Sequence, residues 1–84
     1  MSKPTDPTNA VDQNDLGNKY FWGNGVPKDQ VEAFRLYRMA ADQGLSIACF
    51  NIAYAYLTGE GVEENHSEGK KWYAKSQLPN KPRR

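Results

Sequence analysis

Apolar residues recur along this chain at helical spacing and fall into four segments. From about Ala10 to Trp22, Leu16 and Tyr20 stand four apart on one helical face. The first turns of that segment (Asp12, Gln13, Asn14, Asp15) are polar, which predicts a solvent-facing outer surface and suits the positive end of a helix dipole. Ala33, Leu36, Tyr37 and Ala40 follow i, i+3, i+4, i+7, the stripe of a second helix expected over Asp29 to Gln43. Ala48, Ile52 and Tyr56, joined by Cys49 and Ala53, define a third from Ser46 to Thr58, with Phe50 and Leu57 expected to widen its buried sector. A fourth runs from Asn65 to about Gln77 and is expected to carry Trp72 and Tyr73 on its inner face. No strand alternation or hairpin dipeptide competes with these segments, so the expected fold is all-α.

The breaks between segments are equally regular. Gly23-Asn24-Gly25-Val26 returns as Gly59-Glu60-Gly61-Val62, a step of 36 residues from Gly23 to Gly59. Tyr20 and Tyr56, Glu32 and Glu68, and Tyr37 and Tyr73 keep the same step, and Leu16 falls on Ile52. A fixed period of this length marks stacked structural repeats. Each glycine turn ends a helix, and Pro27 cannot continue one. Val26 is expected to tuck between the helices it joins. Asp29-Gln30-Val31-Glu32 reads as a capping box, and Asn65-His66-Ser67-Glu68 supplies the same start one period later. The organisation that follows is a flexible N-terminal arm (1–9), a first repeat (10–44), a second repeat (45–77) and a basic C-terminal tail (78–84) with Lys81, Arg83 and Arg84. Pro79 closes the last helix, and Leu78 is expected to fold back over it.

Composition narrows the function classes. Eighty-four residues allow one small domain, whose core rarely supplies more than about 3–5 kcal/mol of net stability. A formal net charge of +1 gives no general electrostatic case for nucleic acid or a membrane surface. No apolar run approaches the roughly 20 residues of a membrane span, and the first residues contain no apolar signal core. Cys49 is the one cysteine, which excludes an intrachain disulfide and fits a reducing, cytoplasmic setting.

Together these residues resemble the Sel-1-like repeat, a relative of the tetratricopeptide repeat. Ala48 to Val62 is similar to the family's first helix and its glycine turn. Asp29 to Gly44 resembles the second helix with its closing Ala-Ala-x-x-Gly, carried here by Ala40, Ala41 and Gly44. Leu16-Gly17-Asn18-Lys19-Tyr20 resembles the Leu-Gly-x-x-Tyr core, and Trp72-Tyr73 the Trp-Tyr of the second helix. The likeness covers about residues 12–77. Leu36 stands where the family usually has Trp, Gly69 where it has Ala, Ser76-Gln77 where it has Ala-Ala, and Asp12 where an Ala begins the repeat. Both ends therefore read as caps of a finished two-repeat unit. The resemblance implies two antiparallel helix-turn-helix units in a short right-handed α-solenoid, a non-catalytic scaffold that binds other proteins.

The candidate chemistry is sparse. Gly23, Gly25, Gly59 and Gly61 lack the strand, third glycine or Gly-Lys-Ser/Thr of a phosphate cradle, and read as structural turns. His66 is the only histidine, and its neighbours Glu63, Glu64 and Glu68 belong to a helix start. Cys49, on the apolar side of its helix, reads as a buried thiol. No catalytic, metal or cofactor site is expected.

The candidate site is instead a binding surface, with Trp22 and Tyr54 as aromatic anchors and Asn14, Asn18, Asn51 and Thr58 as polar readers. First helices line the concave face of tetratricopeptide-like stacks, and Trp and Tyr are enriched at binding hot spots. Against this stands the plain alternative that Trp22 packs on the arm or the glycine turn, and Tyr54 on a neighbouring helix. The expected function is an adaptor for a protein or peptide. The alternatives are a small stoichiometric inhibitor of an enzyme, or a self-assembling scaffold unit. Without a third repeat, the Trp72–Tyr73 region of the last helix is left to a homodimer or a partner helix.

Overall fold

The computed structural model describes residues 6–79. Four helices follow in order: α1 (Ala10–Trp22), α2 (Gln30–Asp42), α3 (Ser46–Thr58) and α4 (His66–Ser76). Three of them start on a side chain that accepts from a backbone N–H of the first turn. Asn9 takes the amide of Asp12 at 3.1 Å, Asp29 that of Glu32 at 3.0 Å and Asn65 that of Glu68 at 3.0 Å. Each cap satisfies an amide that the helix itself leaves open. α3 follows α2 with only Gly44 and Leu45 beyond the Gln43 cap and has no side-chain cap.

The glycine turns close α1 and α3 alike. Gly23 and Gly59 are left-handed, with φ of 70° and 72°. Beyond each turn the chain is tied back by equivalent bonds, from Asp29 N to the Tyr20 carbonyl at 2.8 Å and from Asn65 N to the Tyr56 carbonyl at 2.9 Å. α1 therefore pairs with α2 and α3 with α4, and the two hairpins meet chiefly where α3 lies on α2.

The core sits along these contacts. Leu36 and Ile52 are its largest fully buried side chains, and Ala33, Ala40, Ala48, Ala53 and Ala55 are buried as well. Small side chains let helix axes approach closely. One close approach is at Gly17, where a Cβ would stand 2.8 Å from the buried Tyr37 ring.

Several expectations change in the folded chain. Leu16 and Tyr20 are only half-buried, and the inward face of α1 is Gln13, Asn14, Gly17 and Phe21. Gln13 and Asn14, expected on a polar outer surface, are 3% and 5% exposed. They face inward because the second hairpin and the start of the chain cover them. Phe50 and Leu57, expected to be buried, are exposed, as is Tyr73, whereas Trp72 is buried. The reason is positional. Phe50, Leu57 and Tyr73 lie one period after Asn14, Phe21 and Tyr37, which the second repeat covers, and among the described residues nothing covers the second repeat in turn.

Residues 6–9, expected as part of a flexible arm, are bonded to the helices. Asp6 forms a two-bond ion pair with Arg35, at 3.0 and 3.1 Å. Gln13 Nε2 donates to the Pro7 carbonyl, and Gln43 Nε2 to that of Thr8. The expectations for residues 1–5 and for Lys81, Arg83 and Arg84 fall outside the described residues. Leu78 is exposed, with its carbonyl accepting from Ser46 Oγ.

Candidate functional site

Phe21, which the sequence reading missed, is the residue on which the two proposed anchors meet. It is 2% exposed, with Trp22 edge-on at 4.8 Å between ring centroids and Tyr54 edge-on at 6.1 Å. Trp22 itself is 64% exposed and Tyr54 42%. Two large aromatics from α1 and α3 are thus held by a common buried ring while keeping open faces. Tyr54 thus packs on a neighbouring helix, α1, as the plain alternative had it, while part of its ring stays exposed. A signal for Phe21 lay in the repeat, because Gln13, Gly17 and Phe21 fall one period before Cys49, Ala53 and Leu57.

The polar residues are more occupied than expected. Asn51 Nδ2 donates to Asn14 Oδ1 at 2.9 Å, joining α3 to α1, so Asn14 lies beneath the surface and serves the joint between the repeats. Asn18 Oδ1 accepts from the Tyr37 hydroxyl at 2.6 Å. Thr58 Oγ1 lies 2.8 Å from the Tyr54 carbonyl and 3.1 Å from Glu60 Oε1, two acceptors for one proton. Among the described residues, no buried side-chain polar atom lacks a hydrogen-bond partner. The amides therefore position the aromatics as much as they offer themselves to a ligand.

Burial pushes the Tyr37 hydroxyl up from its ordinary 10.0 to about 12. Below pH 10 the phenol is neutral in both folded and unfolded chains and its contribution is complete. Between 10 and about 12 the unfolded chain releases the proton while the folded one keeps it, so stability falls as pH rises. Unfolding titrations on either side of pH 10 should show this loss in the wild type, and Tyr37→Phe should lose less across the same window, keeping only the fall due to the buried Cys49 thiol.

Arg35 is raised above its usual range by the hydrogen bonds it donates to Glu32 and Asp6 and stays charged. Burial pushes the Cys49 thiol up, away from the thiolate a nucleophile needs. Cys49 lines a cavity of about 330 Å³ with Trp72, Lys75, Leu78 and Pro79. One period earlier, Gln13 and Gln43 stand in place of Cys49 and Pro79, and their side chains join at 2.8 Å. His66 is exposed and pairs with Glu64 at 2.7 Å. Among the described residues no cluster of His, Cys, Asp and Glu converges as a metal site would require.

Two hairpins of equal period, closed by glycine turns and carrying exposed aromatics at their joint, define a helical-repeat protein of the solenoid type. The chain belongs to the Sel1 repeat family, whose model matches residues 10–45 and 46–76. It is similar to a Sel1 repeat protein from Oxalobacter formigenes, with a TM-score of 0.81 and 39% identity over 82% of this chain and 28% of that one. The ERAD-associated E3 ubiquitin-protein ligase component HRD3B of Arabidopsis thaliana is 33% identical over 58 residues, 69% of this chain and 10% of the relative. The chitin synthase regulator SKT5 of Saccharomyces cerevisiae is 41% identical over 49 residues, 58% of this chain and 7% of that protein. The chain thus spans about 10% or less of these relatives' lengths. Sel1 repeats are in general non-catalytic interaction modules, and these relatives suggest interaction or adaptor roles. No helix among the described residues is long and apolar enough to cross a membrane.

Proposed function

We propose that this protein is a binding module that holds a peptide or protein partner across Trp22 and Tyr54, on the concave face of its two repeats, and performs no catalysis of its own. The observation that carries this is the pair of exposed rings fixed on one buried ring, Phe21. Rings fixed before binding lose little freedom on contact, so their buried area converts to affinity with a small entropic penalty. Asn18, Asn51 and Thr58 flank the anchors as polar contacts, and Asn14 supports them through Asn51. The names of two relatives, a ligase component and an enzyme regulator, support a role in assemblies rather than in turnover. A reducing compartment such as the cytoplasm is part of the same proposal, resting on the free thiol of Cys49.

The test is capture from the native source with tagged protein, followed by titration of the isolated partner. Replacing both anchors (Trp22→Ala with Tyr54→Ala) should weaken binding about 30-fold or more while circular dichroism shows the helices intact. A partner held equally by the wild type and the double variant would refute this site.

A further inference from the structure

The hydrogen-bonding groups around Trp22 and Tyr54 are unequal in kind. The indole Nε1 of Trp22 can only donate, and among the described residues it has no partner. The Tyr54 hydroxyl, a donor and an acceptor, has none there either. Asn18 uses its Oδ1 for the Tyr37 hydroxyl, at 2.6 Å, which leaves the N–H groups of its amide free. Asn51 is the converse: its Nδ2 donates to Asn14 at 2.9 Å, and its Oδ1 remains as an acceptor. The single proton of Thr58 Oγ1 is already taken by the Tyr54 carbonyl or Glu60. No buried side-chain polar atom among the described residues is unpaired, so these free groups reach the surface. The surface between α1 and α3 therefore offers two exposed rings and more hydrogen-bond donors than acceptors.

A peptide that matches such a surface needs open carbonyls and few N–H groups. An α-helix uses both kinds internally except at its ends. A β-strand presents N–H and C=O in equal number and pairs them on another strand. A polyproline II (PPII) segment has no internal hydrogen bonds, so its carbonyls are open, and each proline removes an N–H. Proline-rich segments in this conformation dock in aromatic-lined grooves. The spacing agrees as well. The centroids of Trp22 and Tyr54 lie 4.8 and 6.1 Å from that of Phe21, so their separation is bounded by the sum of the two. That bound leaves room for one PPII turn of about 9 Å laid from ring to ring. Taking the Trp22–Tyr54 site proposed above as given, we infer that its occupant is a proline-rich segment in the PPII conformation. Its rings lie on Trp22 and Tyr54, and its carbonyls accept from Trp22 Nε1, the Tyr54 hydroxyl and Asn18 Nδ2.

The test uses the full chain and a labelled, end-capped oligoproline of about three PPII turns, followed by fluorescence anisotropy. Saturable binding with a Kd at or below about 1 mM is expected. An alternating Ser-Val peptide of equal length, which presents an N–H at every residue, should bind at least about tenfold more weakly. Trp22→Phe and Tyr54→Phe keep a ring and remove a donor, and each should weaken oligoproline binding about threefold to tenfold. Val31→Ala, exposed on α2, should leave it unchanged. Both anchors are exposed, and circular dichroism checks that the variants fold. No saturable binding, equal binding of the Ser-Val peptide, or indifference to both Phe variants overturns the assignment. Oligoproline held equally by the Trp22→Ala/Tyr54→Ala variant overturns it too. The site itself is judged by the captured native partner: lost from that double variant while oligoproline fails, it keeps the site and refutes only this occupant.

Discussion

Gly61→Ala is expected to unfold most of the protein, whereas Gly25→Ala, at the same place in the first turn, leaves it folded. Both glycines have left-handed backbones, with φ of 82° and 83°, so both substitutions carry the strain of an L-residue there, about 1–2 kcal/mol. The surroundings separate them. A Cβ on Gly25 meets nothing within 4 Å. A Cβ on Gly61 would stand 2.3 Å from the carbonyl oxygen of Gln30 and 2.8 Å from its carbon. That collision is with backbone at the first turn of α2, which cannot rotate away, so the second turn must withdraw from the first hairpin. We expect a total loss of roughly 3–5 kcal/mol, in the rare class of severe single substitutions, against the roughly 3–5 kcal/mol a core of this size supplies. Urea titrations followed by far-ultraviolet circular dichroism measure both variants. Equal midpoints would mean that the second turn does not rest on α2.

Ile52→Ala should lower stability by about 2–5 kcal/mol, as for other fully buried aliphatic truncations. Ile52 is 0% exposed at the meeting of α3 and α2, so the cavity would open where the two hairpins hold together. Beside it, Phe34 and Tyr56 pack edge to face at 5.4 Å. Leu16→Ala removes the same number of methyl-sized groups from the matching position of α1. Leu16 is half-buried on α1, and its truncation should cost only about 1 kcal/mol. The difference between the two, read as the shift in urea midpoint at constant slope, measures the joint. Equal losses would show that Leu16 is covered in solution as Ile52 is.

Both comparisons bear on how much was legible beforehand. The glycine turns, the caps Asp29 and Asn65 and the buried stripe of α2 were readable because each depends on residues within a few positions of one another. Gln13 and Asn14 were not. Their polarity points to solvent, and only the arrival of Asn51 from α3, Gln43 from α2 and the segment before α1 turns them inward. Phe50 and Leu57 failed in the opposite sense: an apolar side chain is buried only when a neighbour exists on its side of the helix. Within the candidate site, Trp22 and Tyr54 were legible as aromatics off the core stripe. Phe21, which holds them, was hidden by the choice of Leu16 and Tyr20 as the inward face of α1.

Sequence alone determined the period, the helices and where each one starts and stops, because φ preferences, capping amides and apolar spacing act over one or two turns of chain. Tertiary structure alone decided which faces of the two repeats meet and, among the described residues, which apolar side chains are left exposed. It also decided which polar side chains serve the joint and which rings stand free. Those outcomes depend on contacts between residues about one period apart, and a single helix pattern contains no information about what lies against it.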